Sequence, residues 1–304
     1  VIDPSTATRV VFLGGLGRSG STLLERLLGE LPGVAPLGEV VHLWARGVLA
    51  GEPCGCGEPL PDCPFWRKVG ERAFGGWTGS LAERMLTLRQ RVDRTHRVLR
   101  IGHPDLAEYV QAYHRVYDAA AEVADARLVI DSSKHASLAH CLAADGSDPH
   151  VIQVVRDPRA VAHSWRRTVA RPEDGRPMAR WGPGRTALHW TAQNLALDLL
   201  ARRGVQVTRV RYEDLLAAPR ATLASLAERL GLRTELPFIT DTTAHRTTAH
   251  LTTAHTASGN PMRFTVGRVE LALDDTWRSA PRQGLVTALT WPLRARYGYR
   301  GIAV

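Results

Sequence analysis

Apolar positions along the chain follow two rhythms. Short segments dense in Val, Ile and Leu, of the kind that makes a fully buried strand, predict strands over 10–13, 127–134, 150–156 and 205–211. Between them the apolar residues recur at helical spacing. Leu23, Leu24, Leu27, Leu28 and Leu31 share one helix face. Further helices are expected over 80–99, 107–124, 186–203 and 221–232. Strands that alternate with helices predict an α/β protein with a central parallel sheet. Pro36, Leu37 and Gly38 make a poor strand, so 32–39 reads as a short segment leading back to the sheet. The region 45–125 reads as a helical cap inserted between strands, and 170–185, rich in Pro, Gly and Arg, as a loop over the site.

Composition narrows the class. With 304 residues, 44% hydrophobic and 23% charged, this is an ordinary globular chain, read as a single domain over 1–304. No apolar run approaches a membrane span, and the first residues lack a charged-then-apolar leader pattern. The expectation is a cytoplasmic protein with no membrane partner. The net charge of +9 points to anionic ligands such as a nucleotide carrying several phosphates. Aromatics are only 6% and the arginines are dispersed, which argues against a nucleic-acid partner.

The strand at 10–13 runs into Gly14, Gly15, Leu16, Gly17, Arg18, Ser19, Gly20, Ser21 and Thr22 before the first helix. A strand, a small-residue loop and a helix point backbone N–H groups and a helix dipole at one small space, which suits a tetrahedral anion. Three readings compete. Gly15-x4-Gly20-Ser21-Thr22 has the spacing of a nucleoside-triphosphate loop, as in a nucleotide kinase, with Ser21 where a lysine is required. Gly15-x-Gly17-x2-Gly20, with Glu39 downstream, has the spacing of an NAD-binding oxidoreductase. The third reading uses every residue: Arg18, Ser19, Gly20, Ser21 and Thr22 offer one cation, three hydroxyls and the loop amides to a single terminal anion.

Three later segments bear on that choice. Asp131, Ser132, Ser133 and Lys134 end a strand, and ligands of open parallel sheets bind beyond such ends. Arg156 ends the next strand, Asp157 and Pro158 suit the cap and first turn of a helix, and Ser164 follows two helical turns on. Arg211 ends another strand and Tyr212 follows it, and Ser258 to Arg263 precede Gly267. Taken in order, these motifs resemble sulfotransferases that use 3′-phosphoadenosine 5′-phosphosulfate (PAPS), closest to bacterial relatives of the protein-tyrosine and carbohydrate enzymes.

The resemblance implies a P-loop-like three-layer fold. It implies that Gly17, Arg18, Ser19, Gly20, Ser21 and Thr22 hold the 5′-phosphosulfate, and that Arg156 and Ser164 hold the 3′-phosphate. Tyr212, Ser258 and Arg263 would complete the nucleotide site. Glu39 would act as general base, with His42 as a substitute, and Arg18 and Lys134 would stabilise the transferring group. The product would be adenosine 3′,5′-bisphosphate. The acceptor would be a hydroxyl-bearing small molecule, sugar or peptide, and no metal is called for.

Cys54, Cys56 and Cys63 cluster in one Pro- and Gly-rich loop, and Cys141 is remote. Zinc ligation with His42 or Cys141 as fourth ligand is conceivable, but the Cys-x2-Cys spacing is absent. A reduced or locally bridged loop is therefore expected. A Thr-Thr-Ala-His unit occurs three times, ending at His245, His250 and His255. Histidines five apart do not share a helix face, so the repeat reads as a duplicated loop without zinc.

Overall fold

The computed structural model describes residues 8–99, 102–170, 175–241, 247–281 and 283–299. The chain enters through β1 (Arg9–Gly14), which becomes the middle strand of a five-stranded sheet, and continues into α1 (Ser21–Leu28). β2 (Val34–Gly38) follows. It pairs in parallel with a later strand, so the interrupted 36–38 segment is a strand after all. β2 lies at the sheet edge, where the N–H that Pro36 lacks costs no ladder bond on the open side.

The helical insertion then comprises α2 (Pro64–Phe74), α3 (Gly79–Val92) and α4 (Leu106–Ala124), after a wide π-type turn over Leu43–Leu49. The chain returns through β3 (Leu128–Lys134), α5 (Ala136–Ala144), β4 (His150–Val155), α6 (Pro158–Arg166), α7 (Pro183–Arg202) and β5 (Val207–Arg211). Two short helices, α8 (Tyr212–Ala217) and α9 (Pro219–Arg229), lead to a small second sheet. That sheet is antiparallel and consists of β6 (Ile239–Asp241), β7 (Thr247–Leu251) and β8 (Gly267–Leu271). α10 (Gln283–Arg296) closes the described chain.

The main sheet has the order β2-β3-β1-β4-β5 and is parallel throughout. Alternate residues of its strands feed two cores, as a pleat with period two requires. Phe12, Val129 and Val151 pack with α4, α5 and α7 on one face. Val11, Leu13, Ile130, Ile152 and Val154 pack with α1 and α9 on the other. This is a mixed α/β fold with a five-stranded parallel sheet between helices. Buried on both faces, β3 is fully enclosed along its length, which explains its unbroken apolar start.

Two features differ from the periodicity reading. The 107–124 helix is a layer of the sandwich rather than a cap: Tyr109, Tyr113 and Tyr117 of α4 are fully buried in the core beside β2 and β3. The Thr-Thr-Ala-His repeat is also no loop in its second copy, since His250 lies on β7. Its first copy, with His245, lies outside the described residues, as do 171–174 of the expected loop over the site.

Candidate active site

β1 ends at the centre of the sheet, and its loop turns over the neighbouring strand ends. Gly15 has φ +145°, and a Cβ there would lie 2.4 Å from the Val154 carbonyl oxygen, so only glycine fits. Its N–H donates to the Lys134 carbonyl at 3.1 Å, which ties the loop to the end of β3. Gly20 caps α1 in the left-handed conformation and no side chain accepts from the first turn. The first-turn N–H groups are thus available to an anion. Ser19 and Ser21 are buried, and their hydroxyls have no hydrogen-bond partner among the described residues. Buried hydroxyls ordinarily have one, so the loop is shaped for a polar group. Thr22 is buried beside them.

Arg18 adopts φ +76°, a strained conformation for a residue with a Cβ. Its guanidinium donates to Met178 Sδ at 3.3 Å and lies 5.5 Å from the Trp165 ring. Trp165 in turn donates from Nε1 to the Gly17 carbonyl at 2.9 Å and stacks on Trp181. The described part of the 170–185 segment therefore does lie against the loop.

Glu39 follows β2 directly and Lys134 ends the adjacent β3, so two neighbouring strand ends present an ion pair, Lys134 Nζ to Glu39 Oε1. Lys134 too has a positive φ, +70°. Burial, the largest influence, pushes the Glu39 carboxyl up, but the Lys134 ammonium, His42 and His135 together outweigh it and hold the carboxyl below the ordinary range. His42 Nε2 lies 3.5 Å from Glu39 Oε2. Burial drives the His42 imidazolium down to about 3, so His42 is neutral and a poor base. The Ser258–Gly259 backbone closes over Glu39: its N–H donates to the Ser258 carbonyl at 3.3 Å, and a Cβ on Gly259 would lie 3.3 Å from Oε1.

Behind this pair stands a buried polar network that periodicity did not reveal. Glu25 of α1 accepts from Gly38 N–H and from Ser132 Oγ, both at 2.7 Å. Asp131 accepts from Tyr117 OH at 2.6 Å and from Ser133 N–H at 2.8 Å. Arg89 of α3 donates to the Val41 carbonyl and to His135 Nδ1. Helical periodicity sets Glu25 outside the arc of Leu23, Leu24, Leu27 and Leu28, so nothing in the sequence marked it as buried.

Arg156, just past β4, joins the loop: Nη1 donates to the Arg18 carbonyl at 3.3 Å, and the guanidinium lies 4.5 Å from the Tyr212 ring. Tyr212 also covers Gly20, where a Cβ would fall 2.2 Å from the ring. Asp157 caps α6 through Arg159 N–H, with Pro158 at its first position. Ser164 sits half-buried in the second turn of that helix. Ser258 is buried and its hydroxyl has no partner among the described residues. Arg263 is not brought to the loop. It is buried and donates to the carbonyls of Thr256 (3.0 Å) and Pro53 (2.8 Å), facing the cysteine loop. A separate cleft of about 400 Å³, lined by Arg26, Pro36, Phe65, Lys68, Thr252 and His255, contains none of these site residues.

Residues 107–235 match a family model described as the sulfotransferase family. The match supports a sulfotransferase. It spans less than half of the chain, includes Lys134, Arg156, Ser164 and Tyr212, and leaves out the β1 loop and Glu39. Among solved structures, the chain is similar to the sulfotransferase STF1 from Mycobacterium tuberculosis H37Rv, with 19% identity and a TM-score of 0.43. That likeness covers 75% of this chain and 69% of the other. No curated protein matches. No described helix is long and apolar enough to cross a membrane.

Proposed function

We propose that this protein transfers a sulfuryl group from PAPS to an acceptor hydroxyl. One observation carries the reading: the β1 loop, the Lys134–Glu39 pair and Arg156 converge at adjacent strand ends of one parallel sheet. The partnerless hydroxyls of Ser19 and Ser21 and the uncapped start of α1 fit a terminal anion. Bound PAPS supplies an activated sulfuryl group on a nucleotide phosphate.

The chain's own residues do the rest. Gly17, Arg18, Ser19, Gly20, Ser21 and Thr22 hold the 5′ end. Arg156 and Ser164 hold the 3′-phosphate, which distinguishes this nucleotide from ATP, and Tyr212 and Ser258 wall the site. Glu39, kept ionised by Lys134, takes the proton of the acceptor hydroxyl. Arg18 and Lys134 offset the negative charge that grows as the group moves. The acceptor is a hydroxyl-bearing small molecule, sugar or peptide.

Both other nucleotide readings lose support from the same geometry. Ser21 leaves a triphosphate without the lysine it needs. Glu39, the expected ribose ligand of NAD, is engaged by Lys134. Calorimetric titration with adenosine 3′,5′-bisphosphate, ATP and NAD tests the reading. The bisphosphate should bind at least about tenfold more tightly than either rival, a gap of about 1.4 kcal/mol. Tighter binding of ATP or NAD overturns it.

A further inference from the structure

The cysteine loop and the third Thr-Thr-Ala-His unit, far apart in sequence, meet in space. The ligand atoms of Cys54, Cys56, Cys63 and His255 all lie within 4.8 Å of one another. All four cysteines are free, so of the two forms expected for the loop the reduced one is present. The fourth partner is neither His42, which stands beside Glu39, nor Cys141, whose thiol points at the Val92 carbonyl on another element. It is a histidine that the spacing argument had set aside.

We propose that Cys54, Cys56, Cys63 and His255 form a closed, structural zinc site. Three of the six ligand–ligand distances match the edges of a tetrahedron, and all six lie within 4.8 Å. Zinc bonds of about 2.3 Å to sulfur and about 2.0–2.1 Å to nitrogen place two sulfurs roughly 3.8 Å apart, and a sulfur and a nitrogen roughly 3.5 Å apart. Cys56 Sγ lies 3.7 Å from Cys63 Sγ, and His255 Nδ1 lies 3.3 Å from Cys63 Sγ and 3.7 Å from Cys54 Sγ. Three cysteines and one histidine fill the coordination shell, which leaves no open position and marks a structural rather than a catalytic centre. A Cys56–Cys63 disulfide would instead strand the fully buried Cys54 thiol beside an imidazole.

The surroundings are built to hold this geometry. The Cys54–Glu58 turn closes through Cys54 N–H to the Glu58 carbonyl and Gly57 N–H to the Cys54 carbonyl, both 2.8 Å. Gly55 packs so tightly on the His255 segment that a Cβ would lie 2.4 Å from the Ala254 carbonyl oxygen. Its N–H donates to the Thr256 carbonyl at 2.9 Å. Phe65 stacks on the His255 ring, and Trp66 Nε1 donates to the His255 carbonyl at 3.0 Å. Outer-shell contacts of this kind fix the orientation of a ligating ring. Three thiolates on one zinc leave a net negative charge. The buried Arg263 guanidinium bonds the carbonyls of Pro53 and Thr256, each adjacent to a ligand, and so stands next to that charge.

The site would staple the 255–259 segment to the insertion. Three residues past His255, that same segment accepts the Glu39 N–H. The proposal does not depend on the transferred group or its donor.

Metal analysis of the whole protein, purified with reductant and without chelator, tests it. One zinc per chain is expected. Replacement by Co²⁺ should give the intense visible bands of tetrahedral cobalt with thiolate charge transfer. Cys63→Ser and His255→Ala should lose stoichiometric zinc, whereas His255→Cys should retain it. Metal removal should lower Tm. Several results would overturn the site: wild-type protein without zinc after growth in zinc-supplemented medium, an octahedral cobalt spectrum, full zinc in His255→Ala, or a Cys56–Cys63 disulfide in peptide mapping. The wild-type measurements hold even if a variant fails to fold.

Discussion

Glu39 is exposed at only 15% of its side chain, yet it remains a carboxylate because Lys134 sits against it. A carboxyl held below the ordinary range is ionised throughout the neutral region, so with Glu39 as the proposed base the midpoint of acid-side loss in kcat/KM should fall below the ordinary carboxylate value. Glu39→Gln keeps the size and removes the proton acceptor. It should lower kcat by about 10²–10⁴-fold. Affinity for adenosine 3′,5′-bisphosphate by calorimetry should change by less than about threefold, under 1 kcal/mol. Arg156 is a different case, since the role proposed for it is to bind. Losing a charged hydrogen bond costs about 1.5–3 kcal/mol, so Arg156→Ala should weaken the bisphosphate by about 10- to 100-fold. It should barely affect adenosine 5′-monophosphate, which lacks the 3′ group. Equal losses for the two ligands would remove Arg156 from the 3′ site.

Individual elements show where periodicity sufficed and where it did not. The strand–loop–helix unit from Arg9 to Leu28 was legible because its signals are local: a buried apolar run, glycines where φ is positive, and leucines at helical spacing. β2 was missed because Pro36 and Gly38 argue against a strand in isolation, whereas an edge position tolerates both. The three strands of the second sheet were missed because β6 to β8 are short and lack a continuous apolar run. At the loop itself, Gly15→Ala forces a positive φ and a clash with the β4 backbone. It should cost about 1–3 kcal/mol, a Tm fall of several degrees in a thermal melt. Gly284→Ala, with nothing within 4 Å of the added Cβ, should leave Tm unchanged or slightly raised.

Across the whole molecule, the buried carboxyls of Glu25 and Asp131 join α1, β2, β3 and α4 beneath the site. Burial pushes Glu25 from 4.5 up to about 7 and Asp131 from 3.8 up to about 6. The folded protein therefore holds protons in these windows that the unfolded chain has released. Stability from these groups is full below the unfolded values and is lost as pH rises, for Glu25 between 4.5 and about 7. Histidines whose pKa burial lowers, His42, His135, His140 and His150, act in the opposite sense over the same range, so the quantity to read is a difference. The urea midpoint of Glu25→Gln relative to wild type should rise with pH across that window, and a difference that stays flat or falls would contradict the assignment.

The linear chain determined the class of fold, the glycine-rich loop after β1 and the basic residues at the strand ends, because each depends on spacings within one element or its cap. It also carried the resemblance that pointed to sulfuryl transfer. Pairing across long separations was beyond it. Lys134 reaches Glu39 over 95 positions, and His255 reaches Cys63 over 192. Nothing in local periodicity encodes which strand ends become neighbours or which copy of a repeat faces a cysteine loop. Strand order and the packing of buried backbone decide that, and they exist only in the folded chain.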